Sequence, residues 1–299
     1  MKILVTGGTV FVSKAVAEYF AGDHEVYVLN RNSRPQADGV HLIEGDRHDP
    51  SLDLSGYGFD AVLDITSYNG TDMRDLIAKI GSVDKFIFVS SSAVYPETLP
   101  QPFKEDATPG PNSIWGQYGT DKIDAEKALL ELIPDAYILR PPYLYGPGNN
   151  VYREAFVFDC AMAGRKFYLP REGEMKLQFF HVRDLCKIME KILETTPDEH
   201  IYNVGNQEII SIKDWVKLCY ECVGKEPSFV NVNDGTEQRR YFSFYDYEYK
   251  LDVSKQEKLL PQTIDLKEGL FESYAWYKGH EDEVRKKPMI EFIDGNFTS

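Results

Sequence analysis

The sequence has no apolar run approaching the roughly 18 residues that a membrane-spanning helix needs. Met1-Lys2 leads straight into Ile3-Leu4-Val5, so neither a span nor a leader is expected. It is also poor in cysteine, with only Cys160, Cys186, Cys219 and Cys222. The last two form a C-x-x-C, but no second pair or histidine pair stands at zinc spacing, so no metal is expected. Within 211–223, Ile212, Trp215, Val216, Cys219 and Val223 mark one helical face, which makes these cysteines small apolar residues of a helix. The expected compartment is reducing and cytoplasmic. Basic residues are in the minority, 33 Lys and Arg against 48 Asp and Glu. The resulting net charge of −15 argues against a general binder of the nucleic-acid backbone.

What is present describes a globular chain. Hydrophobic residues make up 42% of the 299 and charged ones 27%, enough to bury a core in one large or two modest domains. Strand-like runs at 2–6, 25–29, 40–44, 61–65, 85–90 and 136–140 alternate with helical stretches at 13–20, 72–80 and 118–132. Several of the strand runs are continuously apolar, as when both faces of a parallel sheet are covered. The pattern predicts an α/β fold, a Rossmann-type doubly wound parallel sheet. After Arg140, Pro141-Pro142 and Gly146-Pro147-Gly148 break the pattern, and 201–204 reads as a buried strand able to rejoin the sheet. The expected division is a dinucleotide-binding domain of 1–148 plus about 178–206. A smaller mixed substrate lobe of about 149–177 plus 207–299 would pack against it, with a cleft at the carboxyl ends of the strands.

The first strand runs into Gly7-Gly8-Thr9, and Ser13 is expected to open the helix that follows. Such a turn lets backbone approach a pyrophosphate, and a helix N-terminus favours the negative charge. Two of the three glycines of the dinucleotide spacing are missing, with Val10 and Ser13 in their places. The second strand ends in Asn30-Arg31, with Arg34 nearby, where an acidic residue would hold a ribose hydroxyl. An arginine there suits a 2′-phosphate, which leans the expected cofactor, NAD or NADP, towards NADP.

The fifth strand delivers Ser90-Ser91-Ser92, and Tyr118 and Lys122 stand one turn apart on a later helix. This trio suits hydride transfer at an alcohol carbon: Tyr118 takes the hydroxyl proton, Lys122 lowers the tyrosine pKa, and a strand-end serine holds the substrate oxygen. Tyr274 and Lys278 repeat the spacing without the accompanying serine strand end.

With Leu139-Arg140-Pro141, Tyr145-Gly146-Pro147-Gly148 and Phe180-His181-Val182-Arg183-Asp184, the ordered series resembles the extended short-chain dehydrogenase/reductases, the NAD-dependent epimerase/dehydratase family. Gly45-Asp46-Arg47 and Gln178-Phe179-Phe180 look most like the branch that holds the chloroplast stem-loop-binding proteins, in which a bulky residue at the Val10 position is common. The resemblance implies Ser91, Tyr118 and Lys122 as the catalytic set. It implies a cofactor site of Gly7, Thr9, Val10, Phe11, Ser13, Asn30, Arg31, Asp46, Arg47, Ser90 and Pro141, together with Tyr118 and Lys122. Ser92, Tyr143, Arg239 and Arg240 are expected to face the substrate, the two arginines as a clamp on a diphosphate. The implied activity is epimerisation or reduction of a nucleoside-diphosphate sugar, and a homodimer is expected by analogy. A 4,6-dehydratase is disfavoured, because Ser92-Ala93 stand where that group carries an Asp-Glu pair. Turnover of a non-nucleotide small molecule and an RNA-binding or regulatory role with a residual cofactor site are the alternatives.

Overall fold

A computed structural model of the chain describes residues 1–297. In chain order its regular elements begin β1 (Lys2–Thr6), α1 (Phe11–Ala21), β2 (Glu25–Asn30), β3 (His41–Glu44), β4 (Ala61–Asp64), α2 (Gly70–Ile80), β5 (Lys85–Val89), α3 (Gln117–Leu132) and β6 (Tyr137–Arg140). They continue with β7 (Tyr143–Tyr145), α4 (Glu154–Met162), β8 (Phe167–Pro170), β9 (Lys176–Leu177), β10 (Phe179–His181), α5 (Val182–Thr195) and β11 (Ile201–Asn203). The last are β12 (Ile210–Ser211), α6 (Ile212–Cys222), β13 (Phe229–Val232), α7 (Ser254–Leu259), α8 (Leu266–Tyr277) and α9 (Met289–Asn296).

Seven strands form one parallel sheet in the order β11-β6-β5-β4-β1-β2-β3. The order reverses between β1 and β4, the place where a doubly wound sheet opens a crevice at its carboxyl edge. Alternate residues of each strand serve opposite faces. Ile3, Val5, Leu63, Ile87 and Leu139 pack with Val16 and Phe20 of α1 and Leu185, Ile188 and Met189 of α5. Leu4, Val62, Phe86, Phe88 and Ile138 pack on the other side with Met73 and Leu76 of α2 and Ala125 and Leu129 of α3. Both faces are dry, which is why the strands read as unbroken apolar runs. A third cluster, rich in aromatic rings, contains Phe156, Phe167, Trp215, Phe244 and Tyr277 and reaches across to Val94, Tyr95 and Tyr143. On α6 the residues Ile212, Trp215, Val216 and Cys219 are fully buried, and all four cysteines are buried free thiols.

The ends of elements depart from expectation by a residue or two. Helix α1 opens at Phe11, not at Ser13; Ser13 lies inside the first turn and donates its hydroxyl to the Val10 carbonyl at 3.0 Å. Strand β4 stops at Asp64 because the next two amides, Ile65 and Thr66, turn to the Thr6 hydroxyl at 2.9 and 3.1 Å. No helix among the described residues is long and apolar enough to cross a membrane.

One buried ion pair joins the layers at the edge that matters. Arg140, at the end of β6, donates from Nε to Glu126 Oε1 at 3.0 Å and from Nη2 to Oε2 at 2.6 Å. Both side chains are almost wholly buried. The remaining bonding capacity is taken up: Ser90 donates to Glu126, and Arg140 Nη1 donates to the Tyr95 hydroxyl at 2.8 Å. Tyr95 in turn donates to Asn203 Oδ1 of β11 at 2.8 Å. Removing one member of a satisfied buried pair strands the other charge, at a cost of about 3–5 kcal/mol. Arg140→Met is therefore expected to lower the free energy of unfolding by about 3 kcal/mol or more in urea titrations. Lys217→Met, which breaks an exposed pair with Asp214, is expected to change it by at most about 0.5 kcal/mol.

Candidate active site

The crevice begins at the turn after β1. Gly7 and Gly8 have φ of +92° and +83°, and a Cβ on Gly8 would lie 2.4 Å from Val28 Cγ1. Only glycine lets the chain pass this close to β2. Asn30 closes the turn from the other side, donating Nδ2 to the Gly7 carbonyl at 2.7 Å. Val10 precedes α1 with an extended backbone and offers no side-chain cap, so the first amides of α1 are left open to a ligand. Phe11 enters the helix at a φ of +39°. The groove beside this turn has a volume of about 420 Å³ and is lined by Gly7, Thr9, Asn30, Arg31, Asp46, Arg47, Thr66 and Tyr68, among others. An uncapped helix end, a glycine turn and a groove of this size fit the phosphates and adenosine of a dinucleotide. Val10 stands where a middle glycine was missed; the adjoining glycines keep the approach open.

Within the groove, Arg47 donates to the Thr66 and Ser67 hydroxyls and lies 3.7 Å from Asp64. Asp64 is completely buried and accepts from the Thr6 hydroxyl at 2.6 Å. Asp46 accepts from the His48 amide at 3.0 Å and Arg31 is exposed at the rim. Arg34 is exposed as well.

The loops after β5 and β6 are tied together. Ser90 N donates to Leu139 O at 2.8 Å and Ser92 N to Pro141 O at 2.9 Å. Ser91 caps the short turn that follows, accepting from Ala93 N at 3.2 Å. Helix α3 comes down onto that turn because Gly119 has no side chain: a Cβ there would meet the Ala93 carbonyl at 2.5 Å. This contact brings Tyr118 to Ser91, whose side chain favours the ionised phenol. The Tyr118 ring is 41% exposed to the crevice. Protein packed around its hydroxyl still raises the pKa above the ordinary range, against the opposing effects of Ser91 and of the Arg153 charge.

Lys122 lies one turn on, buried, with Nζ donating to Ser67 O at 2.8 Å and Val89 O at 3.0 Å. Burial lowers its pKa to about 8, although Asp64, Glu126 and Asp72 favour its charge. Its ammonium is therefore committed to two backbone carbonyls. The cation that bears on the Tyr118 hydroxyl is Arg153, which the sequence reading had not singled out.

The opposite wall comes from the later part of the chain. Ser92 donates to the Tyr249 hydroxyl at 3.0 Å. Tyr143 is buried beneath Arg153, with the guanidinium 4.9 Å from its ring centre. The structure separates the two adjacent arginines. Arg239 lies 4.5 Å over the Tyr245 ring and donates to the Ser243 carbonyl, whereas Arg240 turns outward over Phe292. Phe242 and Phe244 belong to the core and Tyr245 is partly exposed. His181 is a buried cap of α5, accepting from Arg183 N at 3.2 Å, and burial holds its pKa at about 3. It packs among the helices and does not enter the crevice chemistry. No spacing signal in the sequence marks Arg153.

A sequence profile described as the NAD dependent epimerase/dehydratase family matches residues 3–205. The chain belongs to that family. Among its relatives, the "Chloroplast stem-loop binding protein of 41 kDa b" of Arabidopsis thaliana is 27% identical, over 91% of this chain and 78% of that protein. "Probable GDP-L-fucose synthase 1" of Oryza sativa subsp. japonica is 29% identical over 69% of this chain, which spans 66% of that protein. In fold it resembles the UDP-glucose 4-epimerase of Thermotoga maritima, with a TM-score of 0.75 and 21% identity over 94% of this chain and 100% of that one. The UDP-glucuronic acid 4-epimerase of Bacillus cereus gives 0.74 and 20% over 93% and 99%.

For this epimerase/dehydratase family member the glycine turn yields a test. Gly8→Ala forces a Cβ into Val28 at a positive φ, and it is expected to destabilise the chain by about 2 kcal/mol or more in denaturant titration. Adding Val28→Ala is expected to recover part of that loss; no recovery would mean the contact is not the cause.

Proposed function

We propose that this chain is a nicotinamide-dependent epimerase or reductase acting on a nucleoside-diphosphate sugar. The observation that carries the reading is one crevice with two differently equipped sides. A glycine turn and uncapped helix lie on one, arginines and tyrosines on the other, with Ser91 and Tyr118 between them. Residues 1–148 with about 178–206 form the nucleotide-binding part, and 149–177 with 207–299 supply the substrate wall. The glycine turn, Thr9, Val10, Phe11, Ser13, Asn30, Arg31, Asp46 and Arg47 hold the cofactor, and Ser90 and Pro141 shape its inner end. When bound, the nicotinamide supplies the hydride acceptor and donor.

The rest of the chemistry belongs to the chain. With its pKa raised, Tyr118 is protonated at neutral pH and is the acid that delivers a proton to a carbonyl oxygen. In the reverse direction it must take the proton of a sugar hydroxyl. The Ser91 side chain and the Arg153 charge lower the cost of that phenolate. Ser91 also holds the substrate oxygen as charge develops on it. Lys122 fixes the carbonyls of Ser67 and Val89 and so the floor on which cofactor and sugar meet. Arg239 and Tyr143 orient the substrate, whose nucleotide part contributes binding energy remote from the reacting carbon.

Tyr118→Phe is expected to reduce turnover of an accepted sugar nucleotide by about 1000-fold, while cofactor affinity measured by fluorescence quenching stays within about threefold. Failure of both NAD and NADP to bind the wild-type chain would end the enzyme reading. Arg31 at the groove rim favours NADP, so Arg31→Ala is expected to weaken NADPH about tenfold, a loss of about 1.4 kcal/mol, with little change for NADH. Equal losses for both cofactors would assign Arg31 to the adenine instead of a 2′-phosphate.

A further inference from the structure

The wall facing Tyr118 is assembled from three segments distant in sequence. Asn150 O accepts from Arg285 N at 2.9 Å, and Val151 and Arg285 form a parallel bridge. Ser243 Oγ donates to Tyr152 O at 2.8 Å and lies 3.9 Å from Met289 Sδ. Each segment carries a cation. Arg153 follows Val151 by two residues, Lys287 follows Arg285 by two, and Arg239 leads into the turn that ends at Ser243.

Among the described residues, no carboxylate is ion-paired with any of the three. The exposed Glu237 acts weakly on Arg239. Partial burial, together with the Arg239 and Arg153 charges, holds the Lys287 ammonium below its ordinary pKa, although its side chain reaches solvent. In a chain of net charge −15, a cluster of like cations that forms no ion pair, with only Glu237 and the buried Glu154 acting on it, favours an anionic ligand. A second observation points the same way. The Tyr143 hydroxyl is buried without a hydrogen-bond partner, and the Arg153 and Arg239 charges both reach it. An idle buried donor costs free energy unless a ligand accepts from it.

The position of Arg153 bears on the kind of anion. Arg153 also acts on the Tyr118 hydroxyl, so what it holds lies beside the reacting carbon. We propose that Arg153, Arg239, Lys287 and the Tyr143 hydroxyl form an oxyanion site for a carboxylate on the sugar itself, which makes the substrate a nucleotide-linked sugar acid. This rests on the reading of the crevice as a nucleotide-sugar site.

The test is calorimetric titration of the full chain, with saturating NAD or NADP, using UDP-glucuronic acid, UDP-glucose and inorganic phosphate. The acid is expected to bind at least tenfold more tightly than UDP-glucose. Lys287→Gln should remove most of that preference and leave UDP-glucose within about twofold, and Arg153→Gln should remove the preference as well. Lys287 is solvent-facing, so its variant keeps the test valid if the Arg153 variant misfolds; Arg240→Gln, outside the cluster, should change nothing. Equal binding of the two sugars, or equal weakening of both by the variants, would overturn the sugar-acid site and leave the epimerase or reductase reading intact. If neither sugar nucleotide binds, the nucleotide-sugar reading falls. Phosphate binding that is lost in Lys287→Gln would then still uphold an oxyanion site, and phosphate binding unaffected by the variants would remove it.

Discussion

The structure depends on the pair formed by Glu126 and Arg140. Glu126 sits on the same face of α3 as Tyr118 and Lys122, at successive intervals of four residues. One stripe of this helix therefore carries the phenol, the ammonium and the anchor. Arg140 fixes the anchor to the end of β6, Ser90 ties it to β5, and Tyr95 and Asn203 carry the connection to β11. Taking both charges out of water is costly, and apolar residues of the same size would hold the layers together about as well. What the pair adds is register: its bidentate geometry admits one rotation and one height of α3 over the strand ends. That setting, with Gly119 against the Ala93 carbonyl, brings Tyr118 to Ser91.

That setting also explains how the site divides its charges. Lys122 donates to two backbone carbonyls, so its positive charge is largely used in holding the loop after β4 to the end of β5. Arg47 is similarly occupied, facing Asp64 and two hydroxyls. Among the described residues, Arg153, Arg239 and Lys287 on the far wall form no ion pair with a carboxylate, and neither does Arg31 at the groove rim.

Much of this was legible from the residues. Strands covered on both faces must be apolar throughout, so β1, β4, β5 and β6 stood out, and even the three residues of β11 were recognisable at 201–204. The paired Tyr118 and Lys122 followed from helical spacing and from the serine strand end before them. Element ends were less legible because side chains decide them: the Thr6 hydroxyl captures two amides and stops β4 at Asp64, and Phe11 adopts a left-handed conformation that starts α1 early. Arg153 and Lys287 were invisible for a different reason. Neither has a spacing signal, since the bridge between Val151 and Arg285 joins positions 134 residues apart in sequence. The partition of Arg239 and Arg240 likewise depends on which aromatic ring each one finds.

The stripe on α3 has an evolutionary consequence. A helix turns by about 100° per residue, so one inserted or deleted residue between positions 118 and 126 would swing the phenol to another face while Glu126 stayed in place. Chemistry and anchor cannot drift apart by small steps along this segment; the length of the interval is inherited as a unit. The far wall is under no such constraint, being made of loops whose lengths can vary independently. Change in what such a protein accepts is therefore channelled into those loops, while the helix that performs the reaction stays frozen.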